Sequence, residues 1–447
     1  MNAGGNSTEV GALRVGPRAR VYTEGWQSWS PATWYSLEER RHRPDLAWQH
    51  TMRFRPGTPL VDDAFQAEGV LVVDPGDGGP ALAWFPADPT GEVPTLLARR
   101  RDDHLVVTAH GATVREIEAP DGSAALAAVG DALAAGAGVG PLRSPGGVWC
   151  TWYRYFEAVT GDDVVRDVEA MDRLEVPVDV VQIDDGWTLG VGESLARRPS
   201  FGSLERAVDA VRASGRRAGI WVAPFLVGRD STVAREHPEW LTGYAGENWG
   251  TSLAGLDLTH PGVRDHLARG FGEIAQLGVD YVKLDFLYGG ALPGRRHDDV
   301  TAVEAYRSGM RLLRDVVGPD TYLLGCGAPL LPSLGLVDAM RVSPDTYHEG
   351  GQDGSVGLRG QLSLEGRTWQ HGRLWVTDPD CVVARPSFPL RHEWAEIARS
   401  SGGLRSVSDR LDELDDAGLA LTIDYLSDTP SVGPLVGTPA AVAGGDA

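Results

Sequence analysis

From Gly147 onward the chain alternates between short apolar strands and amphipathic helices, and this rhythm restricts the fold more than any other feature. Gly147-Val148-Trp149-Cys150-Thr151-Trp152 precedes a helical pattern over 162–174. Val178-Asp179-Val180-Val181-Gln182-Ile183-Asp184 precedes one over 204–213. Ala218-Gly219-Ile220-Trp221-Val222-Ala223-Pro224 leads, after a longer excursion, to one over 262–277. Val279-Asp280-Tyr281-Val282-Lys283-Leu284-Asp285-Phe286 leads to one over 303–317. Tyr322-Leu323-Leu324-Gly325-Cys326, Ala339-Met340-Arg341-Val342-Ser343 and Leu374-Trp375-Val376-Thr377 follow, then a helical pattern over 393–400 and Leu404-Arg405-Ser406-Val407-Ser408. Apolar strands joined by helical crossovers build a parallel sheet covered on both faces. Eight such units over roughly 280 residues match a (β/α)8 TIM barrel. An open doubly wound sheet is the alternative, but no Gly-rich phosphate loop follows the first strand.

The region before the barrel has a different texture. Leu71-Val72-Val73, Ala81-Leu82-Ala83-Trp84-Phe85 and Leu105-Val106-Val107-Thr108-Ala109 are separated by turns such as Pro75-Gly76-Asp77-Gly78-Gly79. Short apolar runs punctuated in this way predict an antiparallel β-sandwich domain over 21–125. Residues 1–20 and 428–447 lack periodicity and are expected to be disordered. The Ala- and Gly-rich stretch 126–146 is expected to finish a short helix and then act as a linker to the barrel at 147–427.

Bulk properties narrow the partners. A net charge of −21 argues against nucleic acid or an anionic membrane surface. No apolar run with a basic flank opens the chain, and no apolar stretch reaches about 18 residues, so neither a secretory signal nor a membrane span is expected. Cys150, Cys326 and Cys381 show no disulfide or metal-ligand spacing, which points to a reducing, cytoplasmic setting.

Lys283 is the only lysine among 41 basic residues. Arg serves everywhere else, so position 283 wants a compact ammonium rather than a planar fork. Asp285 lies two residues on, hence on the same face of an extended strand. In such barrels chemistry sits at the C-terminal strand ends. Here those ends carry Cys150 and Trp152; Asp184, Asp185 and Trp187; Trp221; Lys283 and Asp285; Cys326; Arg341 and Asp345; Asp378 and Asp380; and Asp409. Converging carboxylates suit either a divalent metal site or glycoside hydrolysis by a carboxylate pair. Trp152, Trp187 and Trp221, out of 14 tryptophans, lean toward sugars, whose apolar ring faces stack on indole. The nearest histidine to a strand end is His348, expected as a loop residue. Trp26-Gln27-Ser28-Trp29 is expected to pack between domains, unless a loop of the β domain reaches over the barrel.

Five motifs occur in order: Gln182-Ile183-Asp184-Asp185-Gly186-Trp187, Tyr281-Val282-Lys283-Leu284-Asp285, Cys326-Gly327, Arg341-Val342-Ser343-Pro344-Asp345 and Trp375-Val376-Thr377-Asp378-Pro379-Asp380-Cys381. Together they resemble the catalytic barrel of the glycoside hydrolase family 36 α-galactosidases, in the melibiase-like clan, and Trp26–Trp29 is similar to a segment of the N-terminal β domain of some relatives. The resemblance implies Asp285 as nucleophile and Asp345 as acid/base of a retaining, exo-acting α-galactosidase. It implies Asp184 and Asp185 as acceptors for the sugar O4 and O6 hydroxyls, Lys283 as donor to O3 and O4, Arg341 and Cys326 near O2 or the acid/base, and Asp380 as a brace under the pocket. It implies no cofactor and no metal. The sequence departs from the family after Cys326 and before Asp345, which leaves galactose versus N-acetylgalactosamine open, and with it an α-N-acetylgalactosaminidase. An α-galactosyl-transferring relative like the raffinose synthases, a non-catalytic carbohydrate-binding protein and a metal-dependent barrel hydrolase are separate alternatives. The family's usual C-terminal β-sandwich is not expected in the residues that follow Arg410.

Overall fold

The computed structural model describes residues 7–39, 41–44, 47–193, 195–346, 358, 360–428 and 432–434. Two antiparallel sheets form the N-terminal sandwich. One has four strands and contains Phe65–Glu68, Thr95–Arg101 and His104–His110; the other has five and contains Arg20–Thr23, Leu71–Asp74 and Ala81–Pro86. Val21, Leu71, Val73, Leu96, Leu105 and Val107 meet between the sheets, as alternation requires. Helix Gly122–Ala137 lays Leu126, Val129 and Leu133 near the outward Val72, Ala83 and Phe85. Its start is fixed by Asp121, whose side chain accepts from the Ala124 N–H at 2.8 Å.

Two expectations need correction here. Thr8–Arg14, expected to be disordered, is an edge strand paired with His104–His110. An edge strand buries little, so its hydrophobic pattern is faint. What anchors it is a register shift at Gly11, where the indole of Trp84 occupies the space a Cβ would fill and its N–H donates to the Val10 carbonyl at 3.3 Å. Much of the 126–146 linker belongs instead to the helix ending at Ala137. Most of the expected C-terminal tail lies outside the described residues.

The barrel matches its expectation. Eight parallel strands run in sequence from Gly147–Cys150, Val180–Ile183, Arg217–Val222 and Tyr281–Leu284 to Tyr322–Gly325, Ala339–Arg341, Val376–Asp378 and Arg405–Val407. The eighth pairs with the first. The seam between seventh and eighth is closed by Leu404 N–H donating to Thr377 O at 2.6 Å and Val382 N–H to Ser406 O at 2.8 Å. Period-two alternation then decides the interior. Val148, Val180, Tyr281, Tyr322, Ala339 and Val376 form an apolar floor inside the ring, with Tyr281 stacked on Tyr322 at 5.4 Å. Two residues further along the same strands come Cys150, Gln182, Lys283, Leu324, Arg341 and Asp378, and beyond them Asp184, Asp285, Cys326 and Asp380. The intervening Val181, Ile183, Val282, Leu284 and Leu323 join the core between sheet and helices. Polarity therefore rises toward the C-terminal mouth.

The sandwich is fastened to that mouth by a buried guanidinium. Arg367 donates to Glu24 Oε1 at 2.9 Å, to the Ser28 carbonyl at 2.7 Å and to the Val342 carbonyl at 2.7 Å. Replacing Arg367 with Met strands a buried carboxylate and two carbonyls. We expect Arg367→Met to lose about 3–5 kcal/mol of stability by urea denaturation, and Glu24→Gln added to it to recover part of that loss.

Candidate active site

The cavity at the barrel mouth measures about 280 Å³ and is lined by side chains from the ends of five barrel strands or the loops that follow them, and from the β domain. That is near the roughly 300 Å³ lower end for small-molecule sites and suits one hexose ring rather than several. Asp184, Asp185, Lys283, Asp285 and Asp345 all line it, with Trp152 and Trp221 as expected from the sequence.

Lys283 projects between two carboxylates, with Nζ 2.9 Å from Asp184 Oδ2 and 3.9 Å from Asp285 Oδ2. Burial disfavours its ammonium, but Asp184 and Asp285 outweigh burial and hold its pKa well above the ordinary lysine value. Asp184 is oriented further by the Gln182 amide at 2.6 Å and the Cys150 thiol at 3.4 Å. Asp285 accepts the Trp221 indole N–H at 3.0 Å and the Phe286 backbone N–H at 2.8 Å. Phe286 adopts φ 51°, a left-handed turn that folds the chain away just after the carboxylate.

A second ion cluster faces the first. Arg341 donates to Asp345 at 3.0 Å, to Asp378 at 3.1 Å and to Asp380 at 2.6 Å. Asp380 also accepts from the Tyr153 hydroxyl and from Thr346 N–H and Oγ1, both at 2.9 Å. Burial raises the Asp380 pKa, Arg341 opposes that, and Asp345 and Asp378 add to it. Three carboxylates share one guanidinium. Arg341 and Asp380 are buried beneath the cavity wall and position Asp345 and Thr346; neither lines the cavity. Cys326 is likewise buried, against Asp285.

Trp187 does not reach the site. It is fully buried, its indole N–H donates to the Trp221 carbonyl at 2.9 Å, and Arg197 lies over its ring. Gly186, at φ 122°, reverses the chain after Asp185 and turns the tryptophan into the core. His348 lies outside the described residues.

Sequence reasoning missed part of the wall. Trp29 lines the cavity, as do Met52 and Arg53. Residues 26–30 are stitched to the loop after the fifth barrel strand: Ser28 N–H donates to Ala328 O at 3.0 Å and Leu330 N–H to Trp26 O at 3.0 Å. Gly327 makes room, since a Cβ there would lie 2.8 Å from the Trp29 ring. The Trp26–Trp29 segment thus packs domains together and also reaches over the barrel. The other omission is a hairpin, Leu241–Asn248 with Thr251–Leu256, inside the long excursion after the third barrel strand. Glu247, Asn248 and Trp249 from its tip line the cavity. Trp249 and Gly250 make the two-residue turn at φ 50° and 72°. That geometry favours Asn or Gly, and an L residue with a large side chain adopts it at a cost of about 1–2 kcal/mol. Only the Asn-Trp-Gly turn signal could have located it.

The eight-stranded parallel barrel thus carries Lys- and Arg-centred carboxylate clusters and indole walls at its mouth. Residues 155–305 match the Melibiase family model. The bifunctional α-galactosidase/sucrose kinase AgaSK of Mediterraneibacter gnavus is 29% identical over 146 residues, which cover 30% of this chain and 15% of that protein. An Escherichia coli α-galactosidase is 29% identical over 147 residues, 30% of this chain and 21% of its own. The aligned stretch is thus a small part of these curated relatives. Similarity to solved structures is broader. The α-galactosidase TtGalA of Thermus thermophilus, in complex with stachyose, superimposes with a TM-score of 0.79 at 28% identity over 95% of both chains. The Geobacillus stearothermophilus α-galactosidase AgaA shares the fold, with a TM-score of 0.62 at 13% identity over 94% of this chain and 62% of its own.

Asp185 carries a stability signature. Burial raises its carboxyl from 3.8 to about 6, with Asp184 and Glu157 adding to the shift against the Trp249 N–H. Between about pH 4 and 6 the folded state therefore holds a proton that the unfolded chain has released, so stability falls as pH rises through that window. Asp185→Asn lacks this proton. Its unfolding free energy should gain on wild type by about 2–3 kcal/mol between pH 4 and pH 7 in denaturant titrations.

Proposed function

We propose that this protein is a retaining, exo-acting α-galactosidase that works without a metal. The observation that carries the reading is the Lys283 ammonium held between Asp184 and Asp285 in a cavity the size of one sugar ring. An ammonium flanked by acceptors is matched to adjacent ring hydroxyls, with Asp184 and Asp185 accepting and Lys283 donating. Such a site rejects an epimer that leaves these groups unpaired. Trp152, Trp221 and Trp29 supply apolar faces. The binding of stachyose and of p-nitrophenyl α-D-galactopyranoside by TtGalA supports galactosides as the substrate class.

Asp285 attacks the anomeric carbon. The adjacent Lys283 ammonium and the Trp221 and Phe286 N–H donors hold its carboxylate in place. Asp345 stands at the mouth, its side chain 44% exposed, where a leaving group departs. It protonates the glycosidic oxygen and then activates the water that releases the sugar, the double duty of a retaining acid/base. Arg341 keeps Asp345 in place, and Asp378 and Asp380 keep Arg341 in place.

Wild-type enzyme should hydrolyse nitrophenyl α-galactoside with net retention, seen by NMR of the first-formed anomer. Asp285→Ala should lose at least 10³-fold in kcat and, with azide, should form β-galactosyl azide. Absence of wild-type turnover, or full activity in Asp285→Ala, contradicts the reading. Asp345→Ala should lose about 10²–10⁴-fold on oligosaccharides, whose leaving groups need a proton, and much less on nitrophenyl leaving groups. Lys283→Arg keeps the charge yet should raise KM and lower kcat together, because the guanidinium fork overfills the gap between Asp184 and Asp285.

A further inference from the structure

A second cavity of about 380 Å³ lies beside the sugar pocket, lined by Glu157, Glu193, Arg198, Asp230, Thr232 and Arg235 among others. The two cavities share two lining residues, Asp185 and Trp249. These two are joined, for the Trp249 indole N–H donates to Asp185 Oδ2 at 2.8 Å. The indole is braced edge-on against Trp221, with centroids 6.2 Å apart, and against Phe286 at 4.7 Å. It stands there on a turn whose φ of 50° disfavours tryptophan. A strained residue held by three partners between two cavities marks a wall kept for function.

We propose that the Trp249 indole is the partition that makes the sugar pocket blind, and that it restricts the enzyme to terminal sugars without a substituent on the hydroxymethyl group. The inference rests on the α-galactosidase reading above. Asp285 and Asp345 mark the anomeric end of a bound ring, where the leaving group exits. Asp185 stands on the wall shared with the second cavity and, as the acceptor for the sugar's O6 hydroxyl in that reading, meets the end of the ring away from C1. Chain growth from that end would have to pass through the indole. Behind it the second cavity has the space and the hydrogen-bonding side chains to hold another sugar. Without the indole the two cavities join.

The test compares nitrophenyl α-galactoside with its analogue bearing a second galactosyl unit on the hydroxymethyl oxygen, whose cleavage releases the disaccharide. In wild type the ratio of kcat/KM values should favour the plain glycoside by at least about 100-fold. Trp249→Ala should lower that ratio at least tenfold, whereas Trp249→Phe, which keeps a ring in the partition but not the N–H, should hold it within about threefold. Thr232→Trp, which fills the second cavity, should leave plain-glycoside turnover unchanged in the wild-type background and cancel the gain in the Trp249→Ala background. An unchanged ratio in Trp249→Ala, in protein with a wild-type melting temperature, overturns the proposal. So does equal relaxation in Trp249→Phe. If Trp249→Ala does not fold, a wild-type ratio near one overturns it just as directly. Failure of wild type to cleave the plain glycoside defeats the galactosidase reading instead, and the partition is then read from Kd values for galactose and the disaccharide in the same variants.

Discussion

The Lys283 ammonium sits between two buried carboxylates, Asp184 and Asp285. Asp184 and Asp285 are both almost fully buried, and a pair of unpartnered anions in such a place costs several kcal/mol each. One compact cation, 2.9 and 3.9 Å away, compensates both. The shape of the cation matters as much as its charge. Arg341, on the opposite side of the mouth, shows what a guanidinium does instead: it spreads over Asp345, Asp378 and Asp380 and ties all three down. The molecule uses lysine where a carboxylate must stay available and arginine where carboxylates must be fixed. Both are delivered by the same period-two alternation that places Tyr281 and Ala339 in the apolar floor.

The sandwich belongs to the site as much as the barrel does. Arg367 and the Ser28–Ala328 bonds fasten residues 24–30 over the mouth. Trp29 thereby becomes a wall of the pocket, resting on Gly327 and packed edge-on against Phe286. The hairpin tip at Trp249 closes another side. Much of the enclosure is thus built from segments outside the barrel's strands, and this is what gives a shallow barrel mouth the volume of a single sugar.

That division also explains what could be read from the sequence. Strand alternation is strong and local, so the barrel, its polar mouth and the grouping of Asp184, Lys283, Asp285 and Arg341 are legible in the order of residues alone. Cys326 and Asp380 are legible as neighbours of the site, although both lie beneath the cavity wall and support it. Where the chain leaves the strands, the period ends. Trp187 follows Asp185 by two residues, but Gly186 reverses the chain and buries the ring. Trp249 lies 28 residues beyond Trp221 in a stretch with no helical or strand rhythm, and only tertiary packing brings its N–H to Asp185. The strand at Thr8–Arg14 is hidden for a related reason, because an edge strand that buries few side chains leaves little hydrophobic pattern to read.

The central claim is that Asp285, poised by Lys283 and Trp221, forms a covalent bond to the sugar. Peptide mass mapping after brief exposure to a ring-fluorinated α-galactosyl fluoride tests it directly, since fluorine slows release of the glycosyl-enzyme. The account predicts one added fluorogalactosyl mass on the peptide carrying Asp285, and none in Asp285→Asn. A label on any other residue, or turnover of the reagent with no covalent adduct and with inverted product, would contradict it.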